Sequence, residues 1–344
     1  MKKITRRDFL QLVAASMGAA TLNHLLTACG VKPGSPSNSI PSPYPATYTP
    51  FSPAGTSEAG IQPANLQPTP TSFNAPDLVV ARGGDPEVMV RRALAAMGGM
   101  EKFVLKGPKV IVKPNICVAY HTYEYAATTN PWVVGTLVKM ALEAGAGSVQ
   151  VMDFPFGGSA EEAYSRSGIE EQVTAAGGEM VPMPSFKYVK TGIPQALSLK
   201  STEAFKDALE ADVLIDVPIA KNHGSTRLTL GMKNLMGLVL DRGAIHNNLG
   251  QRIADLTTLF HPSLTVVDAV RILTANGPTG GNLDDVQKLD TVIVSRDIVA
   301  ADSYATTLFG MHPGDISFIK AAAAMGLGNS DLKSLKIKEI AVGA

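Results

Sequence analysis

From Asp77 onward, short apolar runs rich in valine and isoleucine alternate with segments whose apolar residues recur every three or four positions. The first kind reads as strands covered on both faces, the second as amphipathic helices. Strands are predicted at 78–80, 109–112, 148–152, 212–217, 264–267, 291–294 and 337–342. Helices are predicted at 86–97, 131–144, 160–166, 201–208, 252–260, 298–309 and 316–325. Val133, Leu137, Met140 and Ala141, for example, share one helical stripe. Strands lacking a polar face and separated by helices predict an α/β fold: a mainly parallel sheet with helices on both faces.

The chain ahead of this pattern is of another kind. Residues 31–76 are mostly Pro, Ser, Thr, Ala and Gly with almost no charge. Such a composition buries too little to offset its ordering, and predicts a disordered tether. Before it, Arg6-Arg7 precedes Phe9-Leu10, an apolar stretch from Leu12 to Leu26, and Leu26-Thr27-Ala28-Cys29. This order resembles a twin-arginine export signal ending in a lipoprotein processing site. An uncleaved anchor or an ordinary signal is the plainer alternative. The expected division is a signal peptide at 1–28, a linker at 29–76 and an α/β domain at 77–344. Cys29 would carry lipid and hold the protein at the extracytoplasmic face of the cell membrane.

Composition then removes several classes of function. Cys117 is the second of two cysteines, so with Cys29 capped no internal disulfide forms. Four cysteines for an iron–sulfur cluster are lacking too. Thirty basic residues balance thirty acidic ones, which excludes a nucleic-acid partner that needs a strong basic excess. Aromatics at 6% argue against a stacking platform for sugars or bases. No Gly-x-Ser-x-Gly elbow occurs, and Gly145-Ala146-Gly147 precedes a strand where a dinucleotide site would follow one. Gly277-Pro278-Thr279-Gly280-Gly281 reads as a turn, or as a nest of N–H groups for an anion.

In open α/β sheets ligands bind beyond the carboxyl ends of strands. Four predicted strand ends here deliver Lys113-Pro114-Asn115, Asp153, Lys221-Asn222-His223 and Asp268. The richest stretch continues through Gly231-Met232-Lys233-Asn234-Leu235-Met236-Gly237 to Asp241-Arg242 and His246. Lysines in so apolar a neighbourhood are either solvated helix tips or desolvated amines that serve as bases or anion clamps.

These blocks, with Thr129-Asn130-Pro131 and Val267-Asp268-Ala269, resemble the family described as domain of unknown function 362. The resemblance covers essentially all of residues 77–344. It implies the α/β fold and, because many members carry ferredoxin-type cluster segments, a redox association. This chain departs from those members in lacking the cluster cysteines.

The residues themselves suggest an enzyme acting on a small anionic ligand. Lys113, Asn115, Asn222, Asn234 and Arg242 would bind it, and Lys221, His223, Lys233 and Asp268 would carry the chemistry. A metal ion held by His223, His246 and a carboxylate is a further expectation, although 23 residues separate the two histidines. Cys117 is either a reactive thiol beside Lys113 or a small buried filler, and Asp302 is a partner for a lysine. The alternatives are a non-catalytic solute- or cofactor-binding lipoprotein serving a transport partner, or a redox accessory to an iron–sulfur partner.

Overall fold

The computed structural model describes residues 75–105 and 107–343. The expected signal, Cys29 and all but the last residues of the expected tether lie outside them. Strands in chain order are β1 (Leu78–Arg82), β2 (Lys109–Pro114), β3 (Ser148–Val151), β4 (Glu179–Met180), β5 (Tyr188–Gly192) and β6 (Ser201–Phe205). They continue as β7 (Val213–Val217), β8 (Ile219–His223), β9 (Arg227–Thr229), β10 (Leu264–Leu273), β11 (Val286–Ser295) and β12 (Ile337–Ala341). The helices are α1 (Pro86–Ala96), α2 (Pro131–Glu143), α3 (Ala160–Arg166), α4 (Ile169–Ala175) and α5 (Lys206–Leu209). After them come α6 (Gly231–Asn234), α7 (Leu249–Phe260), α8 (Ile298–Thr306) and α9 (Ser317–Ala324).

Alternation along the strands builds two cores, one on each sheet face. Leu78, Val80, Ile111, Leu214 and Val267 meet Ile253 and Leu256 of α7, Val299 of α8 and Phe318 of α9. Val79, Ala81, Val110, Val112 and Val266 meet Met89 of α1, Val133 and Leu137 of α2 and Val173 of α4. Each such side chain taken out of water contributes about 1.5–3 kcal/mol. The helices start where the sequence signals it. Pro86 follows Asp85, which caps the Glu87 N–H, and Pro131 follows Asn130, which caps the Trp132 N–H.

The sheet order is β12-β1-β11-β10-β7-β2-β3-β4, with β8 beside the far half of β10 and β9 on β8. Pairings are parallel except β1–β11, β10–β11 and β8–β9. The result is the expected mostly parallel sheet covered on both sides.

Two local expectations fail. Residues 201–208, read as helix, form strand β6 and only then the short α5. Cross-strand pairing decides this: Phe205 lies opposite Tyr188 of β5, their rings edge to face at 5.2 Å. The stretch 219–223, expected to follow a strand end, is itself strand β8. Pro218 interrupts the ladder, its carbonyl accepting the Asp268 N–H at 2.8 Å, and the chain then resumes pairing with β10. That resumption puts Lys221 and His223 on a strand. Because β7, β2 and β3 are neighbours, their carboxyl ends bring Lys113, Asp153 and β8 together.

Candidate functional site

Lys113 is wholly buried at the end of β2. Its Nζ donates to Asp153 Oδ1 at 2.6 Å, Asn234 Oδ1 at 2.9 Å and the Pro114 carbonyl at 2.9 Å. The three N–H directions of the ammonium are thus filled. Asp153 Oδ2 takes the Ile116 N–H at 2.6 Å, so the pair is completed on both sides. Asn234 also receives Asn115 Nδ2 at 3.0 Å and donates through Nδ2 to the Lys113 carbonyl and to Asp216 Oδ1. Asn115 Oδ1 in turn accepts from Lys221 Nζ at 2.9 Å. Lys221, 1% exposed, completes its own set on the Ala127 and Pro278 carbonyls. Burial lowers its amine from the ordinary value, but three oxygen acceptors favour the ammonium form.

The glycines of the Gly231–Gly237 stretch are what allow this approach. A Cβ on Gly237 would collide with Asp153 Oδ1 and lie 2.7 Å from Lys113 Nζ. One on Gly231 would lie 2.9 Å from Asp216 Oδ2 and from Asp302 Oδ1. Asp302 is not a lysine partner: its oxygens accept the Gly231 and Met232 N–H groups at 2.6 and 2.9 Å and fix the start of α6. Burial holds its carboxyl up at about 7 and pushes Asp216, whose Oδ2 has no hydrogen-bond partner among the described residues, well above the usual range. Asp216 was not among the expected site residues, although a carboxylate inside the apolar run Leu214–Val217 is the signal for one.

Lys233 differs from the other two lysines. It is half-buried, and among the described residues its Nζ reaches only the Met236 sulfur, at 3.8 Å. Burial first, then the positive charge of Lys221, holds its amine down at about 8. His223 lies in the same field: burial and the charges of Lys233 and Lys221 hold it down at about 3, so it is neutral. Its Nδ1 accepts the Ser225 N–H at 3.0 Å, which assigns the proton to Nε2. The expected acid–base histidine is therefore a neutral donor. Arg242 donates to the Phe154 and Pro155 carbonyls with its guanidinium 4.7 Å from the centre of the Phe154 ring. Cys117, 7% exposed, donates to the Pro278 carbonyl beside Lys221.

Three expected members fall outside this arrangement. Asn222 braces the glycine turn through Oδ1, which accepts the Gly277 N–H at 3.1 Å. Asp268 accepts the Asn130 and Val270 N–H groups at 2.7 and 2.9 Å, and burial lifts it to about 6. Its charged neighbour is Arg271, so it serves the start of α2 and not the lysines. His246 is exposed, with Nδ1 on the Arg242 carbonyl, and among the described residues no three His, Cys, Asp or Glu side chains are grouped to hold a metal ion. The two histidines thus lack the third ligand that the metal expectation needs.

An α/β sheet with buried lysines bridged by asparagines at its strand ends defines the class of protein. The chain belongs to the family described as domain of unknown function (DUF362), which it matches over residues 110–307. A thylakoid-associated protein of Synechocystis sp. is 27% identical over 247 residues, covering 69% of this chain and 74% of that one. Among solved structures, the lactate racemase apoprotein of Thermoanaerobacterium thermosaccharolyticum is 14% identical at a TM-score of 0.39, covering 62% of this chain. A Thermotoga maritima protein is 14% identical at 0.37, covering 66%. The chain spans 53% and 60% of those two structures. Among the described residues no helix is long and apolar enough to cross a membrane.

Lys113→Met should leave Asp153 buried without its partner and lower unfolding free energy by about 3–5 kcal/mol in denaturant titration. Gly237→Ala should destabilise comparably, and stability equal to the parent in both variants would contradict this packing.

Proposed function

We propose that the cluster binds a small oxyanion, a carboxylate or phosphate, against Lys233, Arg242 and His223. Lys233 is then the group that gives or takes a proton where chemistry follows. The observation that carries this reading is the unequal saturation of the lysines. Lys113 and Lys221 are complete within the protein, whereas among the described residues the Lys233 amine has no oxygen acceptor and no carboxylate in ion-pair contact. A cation so placed lacks a counter-charge that an anionic ligand would supply. Asn115 and Asn234 act one step back, holding the two buried ammonium groups in place.

Capture without reaction is the second reading. It is favoured by the blocked Nδ1 of His223 and the filled Lys221, which leave Lys233 as the single ready base in the cluster. Mass spectrometry of small molecules that co-purify with the folded protein, before and after incubation, separates the two: a changed mass marks an enzyme.

Affinity for inorganic phosphate or succinate, measured by calorimetry, should fall at least about a hundredfold in Lys233→Met. In the parent it should be full below the Lys233 value of about 8 and decline about tenfold per pH unit above it, because deprotonation removes the cation. A flat profile in the parent would end the assignment. His223→Gln, which keeps a donor near the Nε2 position, should stay within about threefold of the parent, while His223→Leu loses about tenfold. Equal losses in the two would remove His223 as a donor.

We also propose that Cys29 anchors the protein at the extracytoplasmic face, supported by the sequence Leu26-Thr27-Ala28-Cys29. Cys29→Ala should abolish incorporation of labelled fatty acid and release the protein from the membrane fraction.

A further inference from the structure

A second site lies away from the lysines. A cleft of about 470 Å³ opens between the turn after β1 and the start of α2, lined by Gly84, Tyr123, Asn130, Trp132, Arg271 and Lys288 among others. Aromatics are few in this chain, yet two meet here: Tyr123 and Trp132 stand edge to face at 5.1 Å, and Trp132 is 41% exposed. Arg271 is aimed at them by an irregularity in the sheet. Ala269 pairs with Thr291 and Arg271 with Lys288, so Leu289 and Asp290 together oppose Val270, with Asp290 at φ 41°. This is a β-bulge, the usual device for re-aiming a strand side chain. The guanidinium sits 5.5 Å from the Tyr123 ring centre and makes no ion pair or hydrogen bond among the described residues.

Asn130 supplies the observation that points to a ligand. It is 4% exposed, and its Oδ1 is fixed by the Trp132 N–H at 3.0 Å. That bond settles the amide orientation and leaves Nδ2 on the other side, with no acceptor among the described residues. Asn130 lines the cleft, so its Nδ2 is a free donor at the cleft wall from which a ligand oxygen can accept. Nearby charges narrow the choice. Lys288 is paired with Asp290 at 3.1 Å, Asp85 is engaged at the Glu87 N–H, and Asp268 and Glu124 lie in the field of Arg271 without an ion-pair contact to it, so among the residues lining the cleft Arg271 and Asn130 keep donors to spare.

We propose that this cleft binds a flat-ringed carboxylate or phosphate, its oxyanion on Asn130 Nδ2 and the Arg271 guanidinium and its ring against Trp132. The ring and the anion are both required: Trp132 offers stacking surface and the two donors offer nothing to a neutral hydrocarbon.

Trp132 is the sole tryptophan of the chain, so its emission reports this cleft alone. Titrating the full chain with benzoate should change that emission saturably, while acetate and benzyl alcohol each bind at least tenfold more weakly. Asn130→Asp keeps an oxygen to cap the helix but replaces the donor by a negative acceptor. It should weaken benzoate binding by tenfold or more, as should Arg271→Met on the exposed side. The proposal is overturned by no saturable change with benzoate, by equal response to acetate or benzyl alcohol, or by undiminished binding in both variants.

Discussion

The structure is organised around one buried ion pair, Lys113 with Asp153, in contact at 2.6 Å and removed from water on both sides. Isolated charges at such depth are strongly penalised, and attraction alone rarely offsets their desolvation, so every remaining donor and acceptor must find a partner. Satisfying them recruits the Ile116 N–H, the Pro114 carbonyl and Asn234. Asn234 is then shared with Asn115 and Asp216, and Asn115 holds Lys221. The network runs from β2 through β3 and α6 to β8. Its members are therefore fixed more by completing buried charge than by any ligand.

The same constraint explains the spacing of Gly231 and Gly237. A helical turn can lie on buried charged groups only where no side chain intervenes: Gly237 lies against the Lys113–Asp153 pair and Gly231 against the Asp216 and Asp302 carboxylates. The intervening Lys233, whose Nζ meets the Met236 sulfur, escapes saturation among the described residues. One short segment thereby carries both an element of the buried scaffold, Asn234, and the amine that stays available.

Much of this was legible in the chain. The apolar runs marked β1, β2, β3, β7, β10, β11 and β12, though not the short β4, β5, β6, β8 and β9; Asn130-Pro131 and Asp85-Pro86 marked two helix starts, and strand ends located the Lys–Asn blocks. Roles within the blocks were not legible, because saturation is a property of contacts across long separations. Asp153 lies 40 residues from Lys113 and Asn234 lies 121 residues away. Lys113 and Lys233 look alike in sequence, each with an asparagine one or two residues on in an otherwise apolar stretch. Only the fold shows that one is filled and the other is open. Residues 201–208 were misread for a related reason: local periodicity could not register the Tyr188–Phe205 pairing that makes them a strand. Asp268, expected just beyond a strand end, instead lies inside β10, which runs on to Leu273, and its carboxylate turns to the backbone of Asn130.

That contact has a consequence for how the two regions relate. The segment from Asn115 to Asn130 is held at one end by the lysine network and at the other by Asp268. Between them the Thr129 hydroxyl accepts the Asn115 N–H at 2.9 Å and donates to the Val217 carbonyl at 2.8 Å. Ala127 of the same segment receives Lys221, while Tyr123 and Asn130 line the cleft beside Trp132. A displacement of this loop would therefore disturb the acceptors of Lys221 and the walls of the cleft together. It is held by buried hydrogen bonds from three strands: from Val217 at the end of β7, from Lys221 within β8 and from Asp268 within β10. The polar rim of an α/β sheet is commonly the place where ligands enter. Here much of it is consumed in holding one loop, and what remains unfilled, Lys233 on one side and Asn130 with Arg271 on the other, marks where a ligand can add what the fold does not supply.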